Sequence, residues 1–226
     1  MEIESFIKNS FVDYPGQIAC VVFTVGCNFD CWYCHNREII HKAKGIVPES
    51  AVLDFLKERV GQIDAVVISG GEPTLQSDLF EFAAKVKKMG YLVKLDTNGA
   101  KPELTKKAIE NKLFDYYAMD IKAPKEKYSQ FCKIPNIGDK IEESMRMIQN
   151  SGVAYEFRTT FAPSITLKDV QDIVDWIGKS NLYALQRYRE VPSQDGIIRM
   201  PHTFETIKEA ERIALRRIPN TVLRGM

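Results

Sequence analysis

Cys27, Cys31 and Cys34 fall within eight residues at the spacing CxxxCxxC, three of the five cysteines in the chain. Thiolates at these gaps can wrap three sulfurs around one face of an iron-sulfur cube and leave the fourth iron without a protein ligand, open to substrate. The same stretch admits other chemistry. Cys31 to His35 spell CxxCH, the attachment pattern for c-type haem, which would require export and would leave Cys27 unexplained. Three cysteines with His35 could hold structural zinc, although a zinc knuckle gives no role to the polar residues further along the chain. Cys31 and Cys34 could act as a thioredoxin-like pair if they stood at a helix start. Cys20, inside an apolar run, and Cys132, in a predicted linker, read as a small buried hydrophobe and an incidental thiol.

The elements that must position these residues alternate regularly. The apolar run ending at Val25 reads as a buried strand that empties into the cysteine loop. Predicted strands follow at Ala65–Ile68, Tyr91–Leu95, Phe114–Met119, Ala154–Phe161 and Leu182–Gln186. Helical patterns separate them: a stripe of Val52, Leu53, Leu56 and Val60, then Leu79–Val86, Glu103–Glu110, Asp139–Asn150, Leu167–Ile177 and Phe204–Arg217. Six strand-helix alternations imply parallel strands with right-handed crossovers, as a doubly wound sheet or a barrel. The unusual residues collect where strands end: the cysteines, Ser69 to Pro73, Asp96 to Gly99, Asp120 with Lys122, Arg158 to Thr160, and Gln186 to Tyr188. That distribution is the active face of a barrel, and since a full eight-unit barrel needs about 250 residues, the expectation is α/β: an incomplete, laterally open (β/α)6 TIM-type barrel.

With 226 residues, 45% of them hydrophobic, the chain can bury one substantial core, and a single domain over residues 1–226 is expected. Thirty-one basic and 30 acidic side chains leave a net charge of +1, so there is no global field for nucleic acid or an anionic bilayer. Glu2 and Glu4 stand where a signal segment would be basic, and Ile18–Val25 is too short to span a membrane; a cytoplasmic protein is expected.

The segment Phe11–Asn36, FVDYPGQIACVVFTVGCNFDCWYCHN, resembles the start of the glycyl-radical-enzyme activating proteins of the radical S-adenosylmethionine superfamily, and within them most closely the anaerobic ribonucleoside-triphosphate reductase activating proteins. The likeness rests on the turn at Asp13, Pro15 and Gly16, the strand ending in Gly26 and Cys27, and the CxxxCxxCHN loop with Tyr33 before its third cysteine. It continues with decreasing strength through Gly70–Pro73, Asp96–Gly99 and Asp120–Lys122. The resemblance implies one 4Fe-4S cluster on Cys27, Cys31 and Cys34 in the loop 26–36, with S-adenosyl-L-methionine chelating the open iron and yielding a 5'-deoxyadenosyl radical. It places Gly70 and Gly71, whose bare backbone lets a cationic amino group approach, at that ligand, with Glu72 orienting the turn or touching it. Asp96, Asp120 and Lys122 would make charge-assisted hydrogen bonds to its charged ends, and Tyr33 would meet the adenine or pack in the core. Asp13 is the candidate for holding a partner's loop.

The two isolated cysteines that remain are too few for an auxiliary cluster and no added elements close over a small substrate, so the radical is expected to pass to a glycine loop of a partner enzyme. That partner is read as an anaerobic ribonucleotide reductase, with pyruvate formate-lyase or another glycyl-radical enzyme as the alternative. A flavodoxin-like or ferredoxin-like electron donor is implied. The reading of another class is a non-catalytic iron-sulfur or zinc binding module.

Overall fold

A computed structural model of the chain describes residues 1–190 and 197–226, and among these it contains eight strands and seven α-helices. They form two compact units. The first comprises Met1–Asn28 and Asn36–Ala118, the second Phe29–His35 and Met119–Met226, and the chain passes from one to the other within a strand.

In the first unit β1 (Ile3–Ser10) pairs antiparallel with β2 (Ala19–Thr24), from Ile3 opposite Thr24 to Ser10 opposite Ala19. Next to β2 lies β3 (Ala65–Gly70), parallel and in register from Ala65 to Gly70, and β4 (Leu92–Thr97) lies parallel to β3. β2 and β3 read as near-continuous apolar runs because both faces are covered, the usual condition of parallel strands. Helix α1 (Glu49–Glu58) buries Val52 and Leu56, and α2 (Leu79–Lys88) buries Leu79, Phe82, Ala83 and Val86, the one-sided stripe a 3.6-residue period produces. Pro102, free of an obligatory N–H bond, opens α3 (Pro102–Asn111), and Lys112 closes it in the left-handed region.

The second unit receives the end of β5 (Tyr116–Asp120) and continues through the short α4 (Tyr128–Cys132) and α5 (Gly138–Gln149). β6 (Ala154–Phe161) pairs parallel with β7 (Tyr183–Arg187), and β7 with β8 (Thr221–Arg224). Between them run α6 (Leu167–Ile177), closed at its start by a Thr166–Asp169 capping box, and α7 (Phe204–Arg217), capped by Thr203.

β2 to β7 are the six expected strands, each followed by a helix. β1 and β8 were not expected. β1 is an edge strand with a mostly exposed, polar-rich sequence, and β8 is four residues long, so neither carries the apolar run that marked the others. No helix among the described residues is long and apolar enough to cross a membrane.

Candidate functional site

The first unit brings the expected residues of three strand ends together, because the register aligns them: Thr24 lies opposite Gly70, and Ile68 opposite Leu95. After β2, Gly26 turns at a φ of 79°, and its N–H donates to the Ile39 carbonyl while that of Cys27 donates to Ile40. The Gly26 carbonyl accepts from the Glu72 N–H at 2.8 Å, and the Thr24 carbonyl accepts from Gly71. The backbone carrying Cys27 is thereby locked against the turn after β3.

The glycines of that turn have a sharper reason than ligand access. A Cβ on Gly71 would stand 1.9 Å from the Gly26 oxygen, and one on Gly70 2.2 Å from the Thr24 nitrogen. Their bare faces are used by the neighbouring backbone, while the Gly70 carbonyl accepts from Asn36 Nδ2 at 3.2 Å.

Glu72 is only 1% exposed and joins two strand ends. Its carboxylate accepts from the Thr74 N–H and hydroxyl, the Thr97 hydroxyl at 2.8 Å and the Asn98 N–H at 2.7 Å. Burial pushes this carboxyl above the ordinary range against the pull of those four donors. Glu72→Gln, which turns an amide N–H₂ toward a backbone N–H that can only donate, is expected to lower unfolding free energy by about 1–3 kcal/mol in a urea titration. An unchanged midpoint would remove Glu72 from its bridging role.

Asp96 lies on β4 with its carboxylate accepting from Ser69 Oγ at 3.0 Å and ion-paired with Lys94 Nζ at 3.1 Å. Lys94, 1% exposed, also donates to the Asp13 carbonyl at 2.5 Å, and the Asp13 carboxylate accepts from Ser10 Oγ. Asp13 is thus joined to the Asp96 cluster through a lysine that the sequence reading passed over. The signal was present: residues 92, 94 and 96 share one face of a strand, and two of them are charged. Asn98 places Nδ2 3.9 Å from Cys27 Sγ and 2.8 Å from the Asn28 side-chain oxygen.

The second unit carries the rest. Cys34 donates its N–H to the Cys31 carbonyl, closing a tight turn. A hydrogen bond from Cys132 lowers the Cys31 thiol to about 7 despite its burial, and the Lys122 charge adds to the effect, whereas burial alone drives Cys20 up to about 12. Cys132 is therefore more than the incidental thiol expected, and no sequence signal joined it to Cys31. Among the described residues no three His, Cys, Asp or Glu side chains already converge as a metal-holding group.

Tyr33 is buried, with Trp32 edge-on at 5.3 Å and Phe131 at 6.4 Å, and its hydroxyl has no hydrogen-bond partner among the described residues. Asp120 and Lys122 pair at 3.2 Å, and Arg158 Nε meets the other Asp120 oxygen at 2.8 Å. Tyr128, which the sequence reading missed, accepts from the Lys122 N–H and donates to the Asp120 carbonyl, bracing the turn. Behind Arg158, the fully buried Glu156 accepts a two-pronged bond from Arg224 at 2.6 and 2.9 Å.

Burial alone would raise the Asp120 carboxyl, but Arg158 and then Lys122 hold it down to about 2. A carboxyl depressed on folding binds fewer protons folded than unfolded between its two pKa values, so its contribution is complete above about pH 4 and is lost as pH falls to about 2. Arg158→Met is expected to move this loss to higher pH, read from urea midpoints through the acid limb; identical acid limbs would contradict it. Gln186 is half-buried at the end of β7, and the buried Tyr188 packs 5.9 Å from Trp32.

The donor chemistry fits an iron-sulfur cluster and a zwitterionic ligand. Cys31 is held close to the thiolate form, an acid and a lysine stand side by side, and a buried phenol lacks a partner.

Comparison with known proteins is consistent with that chemistry. The family model of the radical SAM superfamily matches residues 21–177. A Methanocaldococcus jannaschii protein named for glycyl-radical enzyme activation is 37% identical over 235 residues, 98% of this chain and 95% of its own. The pyruvate formate-lyase-activating enzyme of Streptococcus mutans is 37% identical over 93 residues, 38% of this chain and 35% of its own. Among solved structures, Streptococcus suis SuiB superposes with a TM-score of 0.69 at 13% identity over 91% of this chain, which spans 48% of SuiB. A domain of the pyruvate-formate lyase-activating enzyme of Bacteroides vulgatus gives 0.58 at 17% identity, over 72% of this chain and 99% of that domain. These structural likenesses show the fold: the expected α/β class of incomplete, unclosed TIM-type barrels, its paired strands parallel apart from the antiparallel β1.

Proposed function

The chain belongs to the radical S-adenosylmethionine superfamily, and from that premise we propose that it activates a glycyl-radical enzyme, with an anaerobic ribonucleotide reductase as its partner. The observation that carries the activase reading is the likeness to the M. jannaschii protein over nearly the whole of both chains, and the choice of partner rests on the resemblance of the segment Phe11–Asn36. An enzyme of this family uses a 4Fe-4S cluster and S-adenosylmethionine. Cys27, Cys31 and Cys34 would hold the cluster, which when reduced supplies the electron that breaks a carbon-sulfur bond of S-adenosylmethionine to give methionine and a 5'-deoxyadenosyl radical.

The protein's own residues bind, orient and exclude water. Lys122 faces the ligand carboxylate, with its direction set by Asp120 and by the Tyr128 brace on its backbone. Asp96 and the carbonyls of the Gly70–Gly71 turn receive the amino end, and Glu72 keeps that turn fixed to the end of β4. Tyr33 brings a buried aromatic wall and a free hydroxyl, which suit a nucleoside. A hydrogen atom from the Cα of a partner glycine would move to the 5'-deoxyadenosyl carbon, giving 5'-deoxyadenosine and a glycyl radical delocalised along the partner's backbone, and the Asp13 turn holds that loop. A flavodoxin-like or ferredoxin-like protein supplies the electron.

A second reading, activation of pyruvate formate-lyase, draws on the partial likeness to the S. mutans enzyme. The test is anaerobic reconstitution with iron and sulfide, then incubation with reductant, S-adenosylmethionine and each purified candidate partner. Formation of 5'-deoxyadenosine and a glycyl radical signal in the ribonucleotide reductase alone are expected. No 5'-deoxyadenosine would overturn the activase reading, and a signal confined to pyruvate formate-lyase would replace the partner.

A further inference from the structure

Lys94 has a chemistry that the proposed function does not use. A lysine buried to 1% on a strand is costly unless its ammonium is paired, and here two different segments supply it with oxygens. Its ammonium is ion-paired with the Asp96 carboxylate on its own strand and donates to the Asp13 carbonyl in the connection between β1 and β2. That connection is otherwise lightly held. Phe11 and Val12 are 74% and 78% exposed, and the turn is organised by Ser10 Oγ, which accepts from the Val12 and Asp13 N–H groups at 3.3 Å and donates to the Asp13 carboxylate. Tyr14 anchors its far end by packing 5.5 Å from Tyr116.

We propose that Lys94 is a positioning residue that couples ligand binding at Asp96 to the order of the turn 11–16, so that S-adenosylmethionine and the partner's glycine loop favour each other's binding. This rests on the function proposed above, which places the ligand at Asp96 and the loop at Asp13. The physical step is a redistribution of charge around one carboxylate. When Asp96 accepts a hydrogen bond from the cationic end of S-adenosylmethionine, less of its negative charge faces Lys94, and two cations then share one acid. The Lys94 ammonium then leans more on the Asp13 carbonyl, and the turn tightens. Linkage makes the effect reciprocal: whatever orders the turn must raise affinity for S-adenosylmethionine by the same factor.

The test uses the full chain, reconstituted anaerobically with iron and sulfide. Amide hydrogen exchange is followed in peptides covering residues 11–17, where the Val12, Asp13 and Gln17 N–H groups are bonded within the turn. Saturating S-adenosylmethionine is expected to slow their exchange about fivefold or more, the lower range of measured couplings. In Lys94→Met that ligand-dependent slowing should disappear, and in Lys94→Arg part of it should return. Because a buried lysine replacement can unfold the protein, Ser10→Ala supplies an independent arm that leaves Lys94 and Asp96 untouched. Loosening the turn there is expected to raise the dissociation constant for S-adenosylmethionine about fivefold or more, measured by equilibrium dialysis. Equal exchange with and without bound ligand in the unmodified protein overturns the coupling, as does an unchanged dissociation constant in Ser10→Ala. Failure of the unmodified protein to bind S-adenosylmethionine at all is a separate result, and it overturns the activase reading on which the coupling stands.

Discussion

Cys31→Ala is expected to remove the 4Fe-4S cluster and with it all detectable 5'-deoxyadenosine, and Cys27→Ala and Cys34→Ala should do the same. The argument is one of coordination number. Three thiolates leave one iron for S-adenosylmethionine, and loss of any of them leaves a second iron exposed, so the cluster has neither a stable seat nor a single reactive corner. The effect must exceed the about 10–100-fold that follows from losing an outer-shell partner of a metal site. Cys20→Ala is the control, since that thiol is buried and pushed up to about 12. Cys132→Ala should keep the cluster, losing one thiol donor to Cys31 and no ligand. Iron and sulfide content, the electron paramagnetic resonance signal of the reduced cluster and product formation measure all five variants. If any of the three loop variants retains the cluster signal, the ligand assignment fails.

The alternation of strands and helices was legible because burial on both faces forces long apolar runs in β2 and β3, and helices between them must show a one-sided stripe. What escaped was whatever does not bury a run. β1 has a mostly exposed, polar-rich sequence at a sheet edge, and β8 is too short to have a period. The cysteine loop was legible because its spacing is chemical rather than conformational. Lys94 was missed although its two-residue spacing from Asp96 places both on one strand face, because a lysine between Val93 and Leu95 reads as the solvent side of an alternating strand until the burial of the strand is known. Tyr128 and Cys132 gave no signal, because their partners lie far away in sequence and a five-residue helix shows no pattern of its own. The Gly70–Gly71 pair was recognised, but its main physical cause, close approach of two backbones, exists only once β2 and β3 are in register.

That cause gives the largest expected effect on folding. Gly71→Ala would set a Cβ 1.9 Å from the Gly26 oxygen and 2.6 Å from the Gly26 carbonyl carbon, both backbone atoms with no rotamer to yield. Overpacking against side chains already costs about 1–3 kcal/mol, and here relief requires moving the β3 turn or the segment that leads into Cys27. Either movement breaks the bonds from the Gly71 N–H to Thr24 and from the Glu72 N–H to Gly26. A loss of at least about 3 kcal/mol is expected, seen as a lower urea midpoint. Gly61→Ala separates crowding from backbone conformation: Gly61 has a φ of 78° and nothing within 4 Å of an added Cβ, so it should lose only the about 1–2 kcal/mol of an alanine in the left-handed region. Whatever fraction of Gly71→Ala still folds should take up less iron than Gly61→Ala, because the displaced segment carries Cys27. A Gly71→Ala protein as stable as Gly61→Ala, with full iron content, would mean that the contact between the β3 turn and Gly26 does not fix the first cysteine.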